Sequence, residues 1–217
     1  GGQRYDATVT VVDGSGAEAS TSVRTEHVPI HVEPVETDRL VGTHYYPWSG
    51  TPGHENWTDR IVSGPVLGEY AASDPAVVDQ HLKWCLEHGI RWLSLSWWGP
   101  GTGTDDVIQR TLLPRERFAD LEFSILYETK GRVEGQDYDL DSSIGRGILV
   151  DDFRYLADEY FGRENYLHLD GRPVVFVYLA DNLRGDIAAA FDAVEAEIGV
   201  RPYILADVAF GGAPGTA

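Results

Sequence analysis

The chain has 217 residues, 42% hydrophobic and 11% aromatic, with 24 glycines and 11 prolines, a composition that suits one large domain or a domain plus part of another and argues against disorder. Its 35 acidic side chains against 17 basic ones give a formal net charge of -18, a surface that repels phosphate backbones and excludes nucleic acid as a partner. No apolar run approaches the ~18 residues of a membrane span.

In chain order, Tyr5 to Val12 alternates polar and apolar residues, Asp13-Gly14-Ser15-Gly16 supplies a turn, and Ala17 to Val23 continues with small and β-branched side chains. That pattern predicts a β-hairpin. The string V-T-V-x-D-x-x-G within it resembles the last two strands of an immunoglobulin-like module of the PKD type. A lone hairpin is marginal in water, so residues 1–28 are read as the C-terminal remnant of such a β-sandwich. Residues 29–39 read as an extended linker.

From Leu40 the rhythm changes. Strands are predicted at Val41–Trp48, Ile90–Trp98, Leu121–Tyr127, Val174–Leu179 and Tyr203–Val208. Helices are predicted between them: one opening at Ser73-Asp74-Pro75 and stopping at Gly89, then Thr104–Leu113, Asp151–Phe161 and Ile187–Ile198. Alternating apolar strands and helices predict an α/β fold of parallel βαβ units. No G-x-G-x-x-G or P-loop string follows a strand, and aromatic residues and a carboxylate sit at the strand ends instead, which favours a (β/α)8 TIM barrel over a doubly wound sheet. About five of its eight units are counted, so residues 40–217 are expected to be the N-terminal part of a barrel, and the chain as a whole is expected to be truncated at both ends.

The candidate chemistry collects at those strand ends. His44-Tyr45-Tyr46-Pro47-Trp48 closes the first strand, Trp57 follows it, Ser96-Trp97-Trp98 closes the second, Tyr127-Glu128 the third, and Tyr178 the fourth. Indole and phenol faces stack on the C–H faces of sugar rings, and a carboxylate among them binds hydroxyls or moves protons. Successive residues of a strand face opposite sides, so only one of Trp97 and Trp98 need face the barrel mouth. Glu128 is alternatively an ion-pair partner of Lys130 or Arg132. Asp105-Asp106 reads as a helix cap, and Asp139 and Asp141 as solvated loop carboxylates. His44 and His81 stand alone, without H-x-H, H-E-x-x-H or C-x-x-C spacing, so neither a metal nor a cofactor is expected. Cys85 is read as a small buried hydrophobe.

The strings H-Y-Y-P-W (44–48), N-W-T-D-R (56–60), P-V-L-G-E-Y (65–70), Ser73-Asp74-Pro75 with His81, L-S-L-S-W-W-G-P (93–100) and P-V-V-F-V-Y (173–178) together resemble glycoside hydrolase family 99, which includes the endo-α-mannosidases. The resemblance runs in order over roughly residues 40–181. It implies a (β/α)8 barrel, retaining cleavage within α-linked mannose-containing glycans, and an oligosaccharide or polysaccharide as partner. It implies sugar-contacting roles for Tyr46, Trp48, Trp98, Glu128 and Tyr178, and His44, Tyr45, Trp57 and Trp97 join them as candidate substrate-binding residues. The third strand reads I-L-Y-E-T where the family often has H-I-E-P-Y. The family's catalytic glutamates belong to an N-E-W-H-E-G-like string, which this sequence does not contain. The catalytic pair is therefore expected beyond Ala217, and the chain alone is expected to be inactive. A secreted or cell-surface location is expected, and the acid-rich, lysine-poor composition suits high salt. A non-catalytic carbohydrate-binding protein and a surface or adhesion protein remain the alternatives.

Overall fold

A computed structural model of the chain describes residues 4–12, 16, 18–26, 39–50, 64–130, 132 and 138–207. The chain divides into two compact units, Gly1–Pro34 and Val35–Ala217. The first holds the expected hairpin: β1 (Arg4–Val12) pairs antiparallel with β2 (Glu18–Glu26), with Val12 opposite Glu18 beside the turn. Gly16 in that turn has φ 82, a left-handed conformation that glycine adopts without a steric penalty.

The second unit runs β3 (Gly42–Tyr45), α1 (Pro75–Glu87), β4 (Trp92–Trp97), α2 (Gly103–Val107), β5 (Glu122–Glu128), β6 (Tyr138–Asp139) and α3 (Ser143–Leu156). It continues with β7 (His168–Leu169), β8 (Arg172–Tyr178), β9 (Leu183–Arg184), α4 (Ile187–Ile198) and β10 (Tyr203–Ala206). Five strands form one parallel sheet in the order β3-β4-β5-β8-β10, which is also their order along the chain. A doubly wound sheet would reverse direction at a switch point, and this one never does. Parallel βαβ crossovers are right-handed as a rule, and with a constant direction that rule places the crossover helices on the same face.

The core follows from that placement. Leu93, Leu95 and Trp97 of β4, Phe123, Ile125 and Tyr127 of β5, and Val175 and Val177 of β8 share one face by the two-residue period. They pack with Val78 and Leu82 of α1, Leu149, Phe153 and Leu156 of α3, and Ala190, Phe191 and Val194 of α4 in a single buried cluster. Cys85 lies at its margin, partly buried, as its helical position suggested. The opposite face carries Ser94, Ser96, Ser124, Leu126 and Glu128, all buried, and then Phe176 and Tyr178.

This second face is concave. The rings of His44 on β3 and Phe176 on β8 meet edge-on with centroids 5.0 Å apart, although β4 and β5 lie between their strands. Three strand spacings would separate those backbones by about 14 Å in a flat sheet, so the sheet must curl strongly for the rings to touch. The described strands make an open curl of four βα units and a fifth strand, the succession expected of a (β/α)8 barrel, and no closed barrel forms among the described residues.

Local chemistry sets the helix ends. Asp74 caps α1, its carboxylate accepting from the Ala76 N–H at 2.8 Å with Pro75 at the first helical position. Asp186 caps α4 through the Ala189 N–H at 2.9 Å, and Gly199 ends it at φ 78. Two helices differ from the sequence reading. α2 starts at a Thr102 cap and passes into a π-helical turn, Ile108–Leu112, so Asp105 and Asp106 do not cap it. α3 starts at Ser143 behind a Ser142 cap, well before Asp151, and passes into another π-helical turn, Ala157–Phe161. Its early part was obscured by Gly145 and Gly147, residues of low helix propensity. Gly145 is needed there, because a Cβ would overlap the Asp139 carbonyl.

Candidate functional site

The C-terminal strand ends form one aromatic mouth on the concave face. By strand parity, His44 and Tyr46 continue the inward face of β3, Trp98 that of β4, Glu128 that of β5 and Tyr178 that of β8. Glu128 and Tyr178 are direct partners across β5 and β8. The rings of Tyr46 and Trp48 stack with centroids 4.8 Å apart and planes at 26°, and Trp98 meets Trp48 edge-on at 6.0 Å. Tyr46 is 43% exposed, so the stack presents an open apolar surface. A cavity of about 520 Å³ extends from this stack along β3, lined among others by His44, Tyr46, Trp48, Tyr70, His81 and Trp84.

A polar chain runs beneath the rings. The Trp98 indole N–H donates to Ser96 Oγ at 3.2 Å, and Ser96 Oγ donates to Glu128 Oε1 at 2.7 Å. Burial raises the Glu128 carboxyl above the usual carboxylate range, and the Ser96 bond partly opposes that rise. The Tyr46 phenol is raised as well, first by burial and then by the nearby Glu128, Tyr178 and Asp207. Asp207 thus joins the site. It follows β10, and its N–H is fixed on the Val177 carbonyl at 2.9 Å. It was legible in principle, since it stands at the end of Y-I-L-A-D in the parity that faces inward.

Of the other expected site residues, Trp97 lies elsewhere, Tyr45 leaves the concave face, and Trp57 is not described. Trp97 is fully buried on the convex face, stacked with Tyr155 at 6.0 Å and donating from Nε1 to Asp105 at 2.8 Å, so it belongs to the core and not to the mouth. Tyr45 points off the concave face, its hydroxyl meeting His81 Nδ1 at 3.2 Å and the His81 ring lying against Tyr70 at 5.2 Å, yet it lines the same cavity as His44, Tyr46 and Trp48. Burial lowers the His81 pKa. Trp57 lies outside the described residues. The Arg132 partner considered for Glu128 is engaged elsewhere, pairing with Asp152 at 2.5 Å. Asp139 is exposed, as expected, but lies in β6 and not in a loop, and its side chain accepts from the Asp141 N–H at 3.0 Å.

Asp105, expected from the sequence to cap a helix, is a buried hub. It accepts from Trp97 Nε1 and the Gly101 N–H at 2.8 Å each, from the Tyr155 hydroxyl at 2.6 Å and from the Tyr160 hydroxyl at 2.5 Å. Such a carboxylate fixes the loop between β4 and α2, which begins at Trp98. Among the described residues no cluster of three or more His, Cys, Asp or Glu side chains could hold a metal ion, and no helix is long and apolar enough to cross a membrane.

No family model matches the chain. A curated relative, glycoprotein endo-alpha-1,2-mannosidase of Mus musculus, is 23% identical over 174 residues, which are 62% of this chain and 35% of that protein. Among solved structures, the GH99 endo-alpha-mannosidase of Bacteroides thetaiotaomicron in complex with BIS-TRIS-propane superposes with a TM-score of 0.57 at 21% identity, over 77% of this chain and 52% of that one. A glycoside hydrolase-like protein gives a TM-score of 0.59 at 21% identity, over 83% and 54% respectively. The chain thus spans about a third of the curated relative it matches and about half of these structures. It is similar in sequence and in fold to the glycoside hydrolase family 99 endo-α-mannosidases, and the fold they share is a glycoside hydrolase fold.

Proposed function

We propose that this chain is the sugar-holding side of a family 99-like glycoside hydrolase, acting on α-mannose-containing glycans. The observation that carries the reading is the Tyr46–Trp48–Trp98 cluster standing over Glu128 at the strand ends. Flat aromatic faces take up the apolar faces of sugar rings, and a buried carboxylate at the strand end discriminates among their hydroxyls. In this reading Tyr46 and Trp48 form one platform and Trp98 its wall. Glu128, held through Oε1 by Ser96, offers Oε2 to a sugar hydroxyl. Tyr178, its partner on the next strand, borders the same sugar.

For the protein that carries this chain, the proposed reaction is hydrolysis of an internal α-mannosidic bond. One carboxylic acid protonates the departing oxygen while a second carboxylate assists at the anomeric carbon. The resemblance assigns that pair to residues other than those named here. The test is incubation of the protein with α-1,2-linked mannan oligosaccharides, followed by chromatography of the products and titration of binding. Release of shorter oligosaccharides supports the hydrolase. Binding without release supports a carbohydrate-binding protein on the same scaffold. The absence of both binding and release overturns the reading.

A further inference from the structure

Arg132 follows β5 and reaches sideways to the end of β4. Its Nε and Nη2 grip Asp152 of α3 at 2.8 and 2.5 Å, a forked pair. Its remaining arm, Nη1, donates to the backbone carbonyl of Trp98 at 3.2 Å, and its guanidinium carbon lies 5.9 Å from the centre of the Trp97 ring. Asp152 is 2% exposed and also accepts from the Tyr127 hydroxyl at 2.6 Å, which in turn bonds Tyr138 at 3.0 Å. The guanidinium is therefore anchored from α3 and β5, with its last arm on the peptide that carries Trp98.

Two details show that this approach is specific. Gly99, the next residue, sits at φ 122, and a Cβ there would run into the guanidinium, so the loop leaves room for Arg132 at a position where side chains are strained anyway. A lysine could neutralise Asp152, but it has no planar fork and cannot hold the carboxylate with two arms while bonding the carbonyl with a third. Desolvating this ion pair is costly, and surface burial alone gives no reason for it.

We propose that Arg132 is a positioning residue for the mouth. With Asp152 as its anchor, it fixes the peptide of Trp98, and the Trp98 indole then sets Ser96 and Glu128 through their hydrogen-bonded chain. Its effect on saccharide affinity rests on the function proposed above, whereas its effect on Trp98 does not.

The full chain labelled with 5-fluorotryptophan separates the two. Fluorine NMR follows its six tryptophans, and a Trp98→Phe variant assigns the resonance of interest. In Arg132→Lys the Trp98 resonance shifts and broadens, with Trp97 beside the guanidinium responding too, while Trp84 and Trp92 stay in place. The dissociation constant for α-1,2-mannobiose rises about tenfold. Asp152→Asn repeats the pattern, and it serves alone if the lysine variant does not fold. An unmoved Trp98 resonance in a folded variant overturns the proposal, as does a uniform shift of all the tryptophans, which would mark a general loss of packing. A selective Trp98 response in a chain that never binds mannobiose upholds the positioning and overturns the saccharide reading.

Discussion

Replacing Asp105 with alanine removes one carboxylate that four donors share. Two of those donors are enclosed completely, because Trp97 and Tyr160 are both 0% exposed. Each is left with an unsatisfied buried polar group, at roughly 1–3 kcal/mol apiece. The Tyr155 hydroxyl and the Gly101 N–H lie nearer solvent and recover water. Asp105→Ala therefore destabilises the fold by about 4 kcal/mol, a large part of the stability of an ordinary domain. Asp105→Asn is milder for a definite reason. Its carbonyl oxygen can serve Trp97 and Tyr160 as Oδ1 does, and its amide can donate to the Tyr155 hydroxyl, which then accepts. Only the Gly101 N–H faces another donor, so the cost is about 2 kcal/mol. Asp106→Ala is the control: its contact with Arg110, 3.4 Å between two exposed side chains, is worth no more than about 0.5 kcal/mol. Urea titrations followed by tryptophan emission give all three values from midpoints at a common slope. An alanine variant within 1 kcal/mol of wild type, as an order of magnitude, or one no worse than the asparagine variant, refutes the argument that Asp105 is a buried hub.

Glu128→Gln tests the mouth carboxylate through pH. Burial makes the folded state hold the Glu128 proton more readily than the unfolded chain does, so stability falls as pH rises from about 4.3 through the raised folded value and then levels off. Glutamine removes that titration, so the variant gains on wild type across this window in thermal melts. A constant difference from acid to neutral pH contradicts the assignment. Gly145→Ala forces a methyl group into the Asp139 carbonyl at the foot of α3 and costs about 2 kcal/mol, checked by the same urea titration. Trp48→Ala weakens binding of α-1,2-mannobiose about tenfold by calorimetry, whereas Trp97→Phe changes it less than about twofold and lowers stability instead. Equal losses of affinity in both would mean that the two faces of the sheet were assigned wrongly.

How far the sequence reached can be followed residue by residue. α4 was read at its true bounds because Asp186 and Gly199 frame an unbroken helical pattern. The five parallel strands were read because buried strands are short, continuous and apolar, and this signal is local. Trp97 and Trp98 were read as facing opposite sides, and they do. Which one faces the mouth was beyond the pattern, since it depends on the side the helices cover. Tyr45 points away from Tyr46 for the same reason, although both line the cavity along β3. Asp105 resembled a cap because it stands near a helix start, yet Thr102 begins that helix a few residues earlier and turns Asp105 inward. The Arg132–Asp152 pair had no local signal at all. It joins the end of one strand to the middle of the following helix, and only the packing of the crossover brings the two together.

The agreement between strand order and chain order has a kinetic consequence. Each strand pairs with one made shortly before it: Phe123 with Leu93, Val175 with Ile125, Tyr203 with Val174. These partners are separated by roughly thirty to fifty residues, so closing each contact carries a modest loop entropy, and no strand waits for a distant one. A chain leaving the ribosome can dock its second strand on its first, and its third on its second, while the remainder is still being made. The mouth is assembled in the same succession, with the Tyr46 and Trp48 platform first, Trp98 next, Glu128 after it and Tyr178 later.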